Sequence, residues 1–284
     1  EDDDQRGVAH FIEHLAFNGT EHFAKNSLVS YLQSIGMNFG ADVNAWTSFD
    51  ETVYMLEVPA DDMELLRQGV LILHDWASAV SFEQDELDKE RGVVTEEWRL
   101  SQGIQRRMQD KAFPFLYASS RYLEREPIGS MDVIRSVSRE RVVDFYKKWY
   151  RPEFMSVVVV GDLEAAVLEA AVKDVMATIP ASDGSVQRAE FASPSLEGKH
   201  IVILQDAEQP QTELCMSVHR PYTPPLTKQD CNKALARQVA INILNERLEA
   251  LSLAAQNPWT WAGFASYSLT HRVTDDELKK FYDE

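Results

Sequence analysis

Apolar and polar positions along the chain alternate with two different periods, and these predict most of its elements. Residues Val8 to Phe17 read as a helix, with Gly19 following as a stop signal. Ser27 to Ile35 places Leu28, Tyr31, Leu32 and Ile35 on one helical face and ends at Gly36. Between Asn38 and Pro59 the chemistry turns extended: Gly40 and Asn44 come near the start, and Thr52 to Val58 is rich in β-branched and aromatic residues. A helix is expected from Met63 to Ala79, with Leu66, Val70, Leu73 and Ala77 on one side and the acidic Asp61-Asp62 at its N-terminus. From Phe82 to Gln109 the pattern predicts one long, highly charged helix, then a loop holding Phe113-Pro114 and Pro127-Ile-Gly129. Ser138 starts a further helix carrying Val142, Val143 and Tyr146; Ser156 to Val160 reads as a buried strand, and Leu163 to Ile179 as a helix that meets Pro180.

Residues 183–198, rich in Ser, Pro, Gly and charge, read as a linker. Beyond it the order restarts with strands at His200 to Leu204 and Thr212 to Val218, a helix from Lys228 to Leu251 and a helical start at Thr274 to Phe281. The expectation is an α+β fold with a first domain over 1–182 and the opening of a second, similar one over 199–284. The chain opens at Glu1-Asp-Asp-Asp-Gln5 and stops just after a helical start, so both domains are expected to be truncated pieces of a longer protein.

Composition narrows the function classes. Hydrophobic residues make up 44% and charged residues 26% of 284, values of a globular protein with real cores. No run is apolar for long enough to span a bilayer. Lys plus Arg total 28 against 46 Asp plus Glu, a formal charge of −18, which argues against a nucleic-acid partner. The two cysteines, Cys215 and Cys231, stand in no metal-type pair and are expected to be buried free thiols.

The chemistry gathers in His10-Phe-Ile-Glu13-His14. Residues four apart on a helix project from one face roughly 6 Å apart, so two imidazoles can converge on one ion. Imidazole is a preferred zinc ligand, and Glu13 stands where a general base for an attacking water is needed. The order is that of an inverted zincin motif. The alternative, two surface histidines on an amphipathic helix, sits poorly with Phe11, Ile12, Leu15 and Phe17, which argue for burial. A catalytic zinc needs a third protein ligand, and Glu90-Arg-Gly-Val-Val-Thr-Glu96-Glu97 offers candidates. Glu90 and Glu97 share a helical face, whereas Glu96 points about 100° away from Glu97.

His10-Phe-Ile-Glu-His-Leu-Ala-Phe-Asn-Gly-Thr20 resembles the pitrilysin family of metallopeptidases, which includes insulin-degrading enzyme and the mitochondrial processing peptidase. The resemblance continues through Asn44-Ala-Trp-Thr-Ser, Glu90 to Glu97, and Phe145-Tyr-Lys-Lys-Trp-Tyr-Arg-Pro-Glu153, covers essentially the whole chain and is nearest the bacterial zinc-protease branch. It implies a two-layer domain, an antiparallel-rich sheet packed with helices, and a zinc metalloendopeptidase with one Zn2+ per chain. His10, His14 and Glu97 would bind the metal, Glu13 would be the base that activates water, and Glu90 would tune the site from behind. Asn44, Ala45 and Trp46 would form an edge strand that binds an unstructured peptide by main-chain hydrogen bonds, with Phe17 lining a side-chain pocket. The partners implied are a peptide substrate and a C-terminal half, in the same chain or in a second subunit. The bacterial branch implies the periplasm, with the cytoplasm as the other location. The rival reading is a non-catalytic, peptide-binding or scaffold subunit of the same fold.

Overall fold

The computed structural model describes residues 1–25, 27–118, 120–189, 191, 198–218, 226–254 and 259–266. Contacts divide the chain into two units, Glu1–Leu214 and Cys215–Glu284. The first unit opens with helix α1, Val8–Asn18, then α2, Ser27–Ser34, and an antiparallel hairpin of β1, Val43–Thr47, and β2, Thr52–Leu56, registered from Val43 opposite Leu56 to Thr47 opposite Thr52. Helices α3, Met63–Ser78, α4, Gln84–Leu100, and α5, Ile104–Leu116, come next, followed by α6, Met131–Ser136, α7, Arg139–Trp149, and α8, Ala165–Met176. The fold is helix-rich with a small antiparallel sheet, and among the described residues these two strands are the whole sheet.

Helix α1 is the centre of the core. Val8, Phe11, Ile12, Leu15 and Ala16 recur at helical spacing and are all but inaccessible. Burying side chains of this size stabilises the fold by roughly 1.5–3 kcal/mol each. This stripe packs against α4, α7 and the hairpin, which leaves the face carrying His10, Glu13, His14 and Phe17 turned toward a cleft. Trp76 of α3, fully buried, donates from Nε1 to the carbonyl of Ala16 at 3.1 Å, and Tyr146 of α7 donates to the carbonyl of Trp76 at 2.9 Å. Helix α3 thereby holds the last turn of α1, and α7 in turn holds α3.

The loop beside the N-terminus of α1 depends on glycine. Gly7 (φ 90°) and Gly129 (φ 71°) both adopt left-handed backbone, and a Cβ on Gly129 would fall 2.3 Å from the Cα of Gly7. That close approach brings Pro127 and Ile128 to the rim of the cleft.

Helix α4 is fastened by Arg91, whose guanidinium donates to the carbonyls of Ile134 and Val137, the latter at 2.6 Å, at the end of α6. Val94 is fully buried, and Glu90 is buried one turn before it on the same stripe.

Several expectations are corrected. The long helix expected from Phe82 to Gln109 is two helices, broken at residues 101–103, with Gly103 directly before the second. Phe113-Pro114 is not in a loop; Pro114 lies in the last turn of α5, which ends two residues later at Leu116. Ser156 to Val160, His200 to Leu204 and Thr212 to Val218 form no strand: they meet no partner edge among the described residues, and Val158 and Val160 are 80% and 91% exposed. A β-branched run favours extended backbone, but a strand exists only where a second edge takes up its hydrogen bonds.

In the second unit, helix α9, Lys228–Ser252, is capped by Thr227, whose hydroxyl accepts from the backbone N–H of Asp230 at 3.2 Å. Cys215 and Cys231, expected to be buried, are both exposed. Cys215 stands between the exposed Leu214 and Met216, where no packed surface covers it. The helical start expected at Thr274 to Phe281 and part of the 183–198 segment lie outside the described residues. No helix among the described residues is long and apolar enough to cross a membrane.

Candidate metal centre

The cleft has a volume of about 830 Å³ and is lined from α1 by His10, Glu13, His14, Phe17 and Asn18, from β1 by Asn44 to Thr47, and from α4 by Glu90 and Glu97. His10 and His14 sit one turn apart, with Nε2 atoms 3.3 Å from each other and ring centroids at 4.7 Å. Glu97 approaches from α4, its Oε2 lying 3.4 Å from His14 Nε2 and 3.7 Å from His10 Nε2. Zinc bound tetrahedrally at about 2.0–2.1 Å from each ligand atom needs those atoms about 3.3 Å apart. The three donors therefore fit a tetrahedral divalent ion with one side left open, and among the described residues they form the one His/Cys/Asp/Glu group so arranged.

Glu90, two turns before Glu97, does not join the three. Its Oε1 lies 2.8 Å from His14 Nδ1, the nitrogen turned away from the other donors, so it fixes which ring nitrogen of His14 faces the centre. Asn18 donates from Nδ2 to the other carboxylate oxygen at 2.6 Å. Glu96 is turned away and forks with Arg99 on the outer surface. Buried His10 Nδ1 has no hydrogen-bond partner among the described residues.

The electrostatics split the two imidazoles. Burial, helped by the neighbouring His14, lowers the His10 pKa to about 4 against the pull of Glu97 and Glu90. Burial also works to lower His14, but its hydrogen bonds to Glu90 and Glu97 outweigh that and raise it to about 9. Without metal these opposite shifts favour a neutral His10 beside a positively charged His14 at neutral pH. The same hydrogen bond from His14 is the main reason that Glu97 titrates low. Burial favours the acid form of Glu90, yet donors from His14 and Asn18 win and hold it ionised. Glu13 shows the opposite balance: burial raises its pKa, only partly opposed by the Thr47 hydroxyl, which donates to Oε2 at 2.5 Å. A carboxyl poised upward in this way suits a group that must both take and return a proton.

The residues expected along β1 line the same cleft. One edge of β1 pairs with β2, and its other edge has no strand beside it among the described residues. Trp46 is partly exposed, the Asn44 side chain accepts from the backbone N–H of Ala45 at 2.9 Å, and Ala45 packs partly against the core. Phe17 serves both core and cleft: it is largely buried, packs on Trp76 with centroids 5.1 Å apart, and meets Phe39 edge-on at 5.3 Å. Sequence reasoning missed Thr47, Asn18 and Phe39. Thr47 directly follows Asn44-Ala45-Trp46, and Asn18 lies one helical turn after His14, so spacing carried a signal for both.

The helix-rich fold with its small antiparallel sheet is that of a peptidase class, and the chain is a member of the M16 peptidase family. Residues 1–124 match the insulinase domain (peptidase family M16) and residues 136–269 match the M16 inactive domain. Among its relatives is the probable zinc protease PqqL of Escherichia coli, 36% identical over 88% of this chain and 27% of that protein. A zinc protease PQQL-like protein of Arabidopsis thaliana is 36% identical over 96% of this chain and 29% of that one. The crystal structure of the periplasmic protease PqqL from Escherichia coli superposes with a TM-score of 0.68 at 33% identity, covering 88% of this chain and 28% of that one. The chain thus spans less than a third of the length of these relatives.

Proposed function

We propose that this chain is the zinc-binding catalytic part of a metalloendopeptidase that cleaves unstructured peptides. The observation that carries the reading is the convergence of His10, His14 and Glu97 donor atoms, 3.3–3.7 Å apart, beside an ionisable Glu13 in a cleft edged by β1. Zinc held by those three residues supplies Lewis acidity toward the peptide carbonyl and acidifies water. The remaining work falls to the chain's own groups. Glu13 accepts the proton of the attacking water on its carboxylate and returns it to the leaving amine nitrogen. Thr47 holds that carboxylate toward the cleft through its 2.5 Å hydrogen bond. Glu90 keeps His14 presenting Nε2. The free edge of β1 at Asn44, Ala45 and Trp46 takes the substrate as an added strand, binding its main chain with little demand on its sequence.

PqqL of Escherichia coli is described as a periplasmic protease, and we extend that location to this chain. Because the chain spans 27% and 29% of its relatives, a C-terminal half, in the same chain or a partner subunit, is proposed to complete the enzyme.

The test is zinc stoichiometry together with cleavage of an unstructured peptide by the chain joined to its complementary half. One zinc per chain is expected, lost in His14→Ala and Glu97→Gln, with cleavage abolished and zinc kept in Glu13→Gln. Absence of zinc from the wild type overturns the reading. Zinc without cleavage leaves the peptide-binding scaffold as the function.

A further inference from the structure

Glu90 is a buried carboxylate with a division of labour between its oxygens. Oε1 meets His14 Nδ1 at 2.8 Å, and Oε2 accepts from Asn18 Nδ2 at 2.6 Å. A carboxylate only accepts hydrogen bonds, so the Asn18 amide has one possible orientation, with its NH2 toward Glu90. Asn18 and His14 lie one turn apart on α1, and Glu90 comes across from α4, so the three side chains close a bridge between the two helices that carry the metal donors.

Held by His14 alone, the carboxylate would be free to swivel, because the terminal torsion of a glutamate is broad and roughly two-fold. A second donor on the other oxygen fixes the carboxylate plane, and with it the direction in which His14 points Nε2. The His10 ring has no comparable restraint: its Nδ1 is without a hydrogen-bond partner among the described residues. His14 is therefore the imidazole through which outer groups set the geometry of the centre, and Asn18 stands at the far end of that connection.

We propose that Asn18 is a positioning residue of the metal centre, acting through Glu90 on His14 to orient Nε2 toward the point shared with His10 and Glu97. This rests on the zinc reading above. Removing the amide frees the carboxylate, lets the imidazole tilt, and weakens metal binding without removing any ligand. Loss of an outer-shell partner of this kind costs about 10–100-fold in metal affinity, and Asn18→Leu, which deletes the donor at similar volume, is expected near the lower end.

The experiment measures metal affinity by chelator competition, with zinc and with Co2+, whose d–d absorption reads the coordination geometry directly. Wild type, Asn18→Leu, Asn18→Gln, Glu90→Gln and the Asn18→Leu/Glu90→Gln double variant are compared, with circular dichroism of the metal-free proteins as the check on folding. The expected result is about tenfold weaker binding and a shifted Co2+ spectrum in Asn18→Leu, part recovery in Asn18→Gln, and no further loss in the double variant beyond Glu90→Gln alone. If Asn18→Leu does not fold, Asn18→Ala, which also deletes the donor, carries the same comparison. Wild type binding one metal, with an unchanged spectrum and affinity within twofold in the Asn18 variants, overturns the role of Asn18 and leaves the zinc centre standing. Fully additive effects of the Asn18 and Glu90 substitutions overturn the connection through Glu90. Wild type binding no metal overturns the zinc reading, and the role of Asn18 falls with it.

Discussion

Asp75 lies outside the cleft, yet it holds the turn that follows the His10–His14 helix, and replacing it with asparagine is a sharp test of the packing argument. The side chain is 0% exposed and ends at four donors. Thr20 Oγ1 donates at 2.6 Å, the backbone N–H of His22 at 3.0 Å, His22 Nδ1 at 2.8 Å and His74 Nδ1 at 3.3 Å. An asparagine side chain would keep the volume but offer only one acceptor oxygen. The His22 backbone N–H cannot reverse its role, so the amide oxygen stays on that side and the NH2 faces the two imidazoles. The loss is then the charge-assisted contact with His22, and hydrogen bonds to charged groups contribute about 1.5–3 kcal/mol. We expect a destabilisation of about 2 kcal/mol, which for a unit of this size lowers Tm by about 4–8 °C. Asp75→Ala should cost more, about 3–5 kcal/mol, because Thr20 and the His22 N–H also lose their acceptor in a buried site.

The effect should depend on pH. The Asp75 hydrogen bond raises the His22 pKa above 6.5, against a smaller opposing effect of burial. A raised histidine contributes stability that is complete below about pH 6.5 and lost as pH climbs through the folded value. Burial works to raise Asp75, but the Thr20 and His22 hydrogen bonds win and lower it from 3.8, so its contribution is present above about pH 4 and lost in acid. The Tm gap between wild type and Asp75→Asn should therefore be widest between about pH 4 and 6.5 and narrower at pH 9. Calorimetry of the metal-free protein across that range is the assay. A gap under 1 °C, or one that does not change with pH, refutes the reasoning.

Three further outcomes follow from the cleft. Glu97→Gln should strip the metal while Glu96→Gln leaves it in place, since Glu96 forks with Arg99 on the outside; equal metal contents would remove Glu97 from the donor set. Zinc binding at pH 7 should release about one proton, from His14 with its pKa near 9 and none from His10 near 4, and affinity should climb with pH until about 9; titration calorimetry in buffers of different ionisation enthalpy counts the proton, and a count of zero contradicts the assignment. Thr47→Val should retain zinc but push the Glu13 pKa further up by removing its one lowering hydrogen bond, so the acid limb of kcat/KM moves to higher pH and the rate at neutral pH falls by about 10-fold; an unmoved profile argues against that contact.

Much of the centre was legible because helical geometry turns spacing into direction. His10 and His14 one turn apart, and Glu90 and Glu97 two turns apart, are forced onto single faces of α1 and α4 whatever the rest of the chain does. The Ser138 cap and the apolar stripe of α1 were readable for the same reason: they are local. Which glutamate reaches the imidazoles and which backs one of them is not local. It depends on how α4 lies across α1, a placement set by buried Val94 and by the Arg91 clamp onto α6. Thr47 and Asn18 belong to the same category, polar side chains whose roles exist only once β1 and α4 arrive beside α1. The strands expected at Ser156 to Val160, His200 to Leu204 and Thr212 to Val218 make the converse point. Local propensity for extended backbone is written in their residues, but hydrogen-bonded pairing is a property of two segments, and no single stretch of sequence contains its partner. The sequence by itself thus determined most of the helices, the faces of α1 and α4 and the identity of the candidate donors, but not the break between α4 and α5. The tertiary structure alone decided which of those faces meet, because close packing admits one arrangement of helices whose buried stripes interlock.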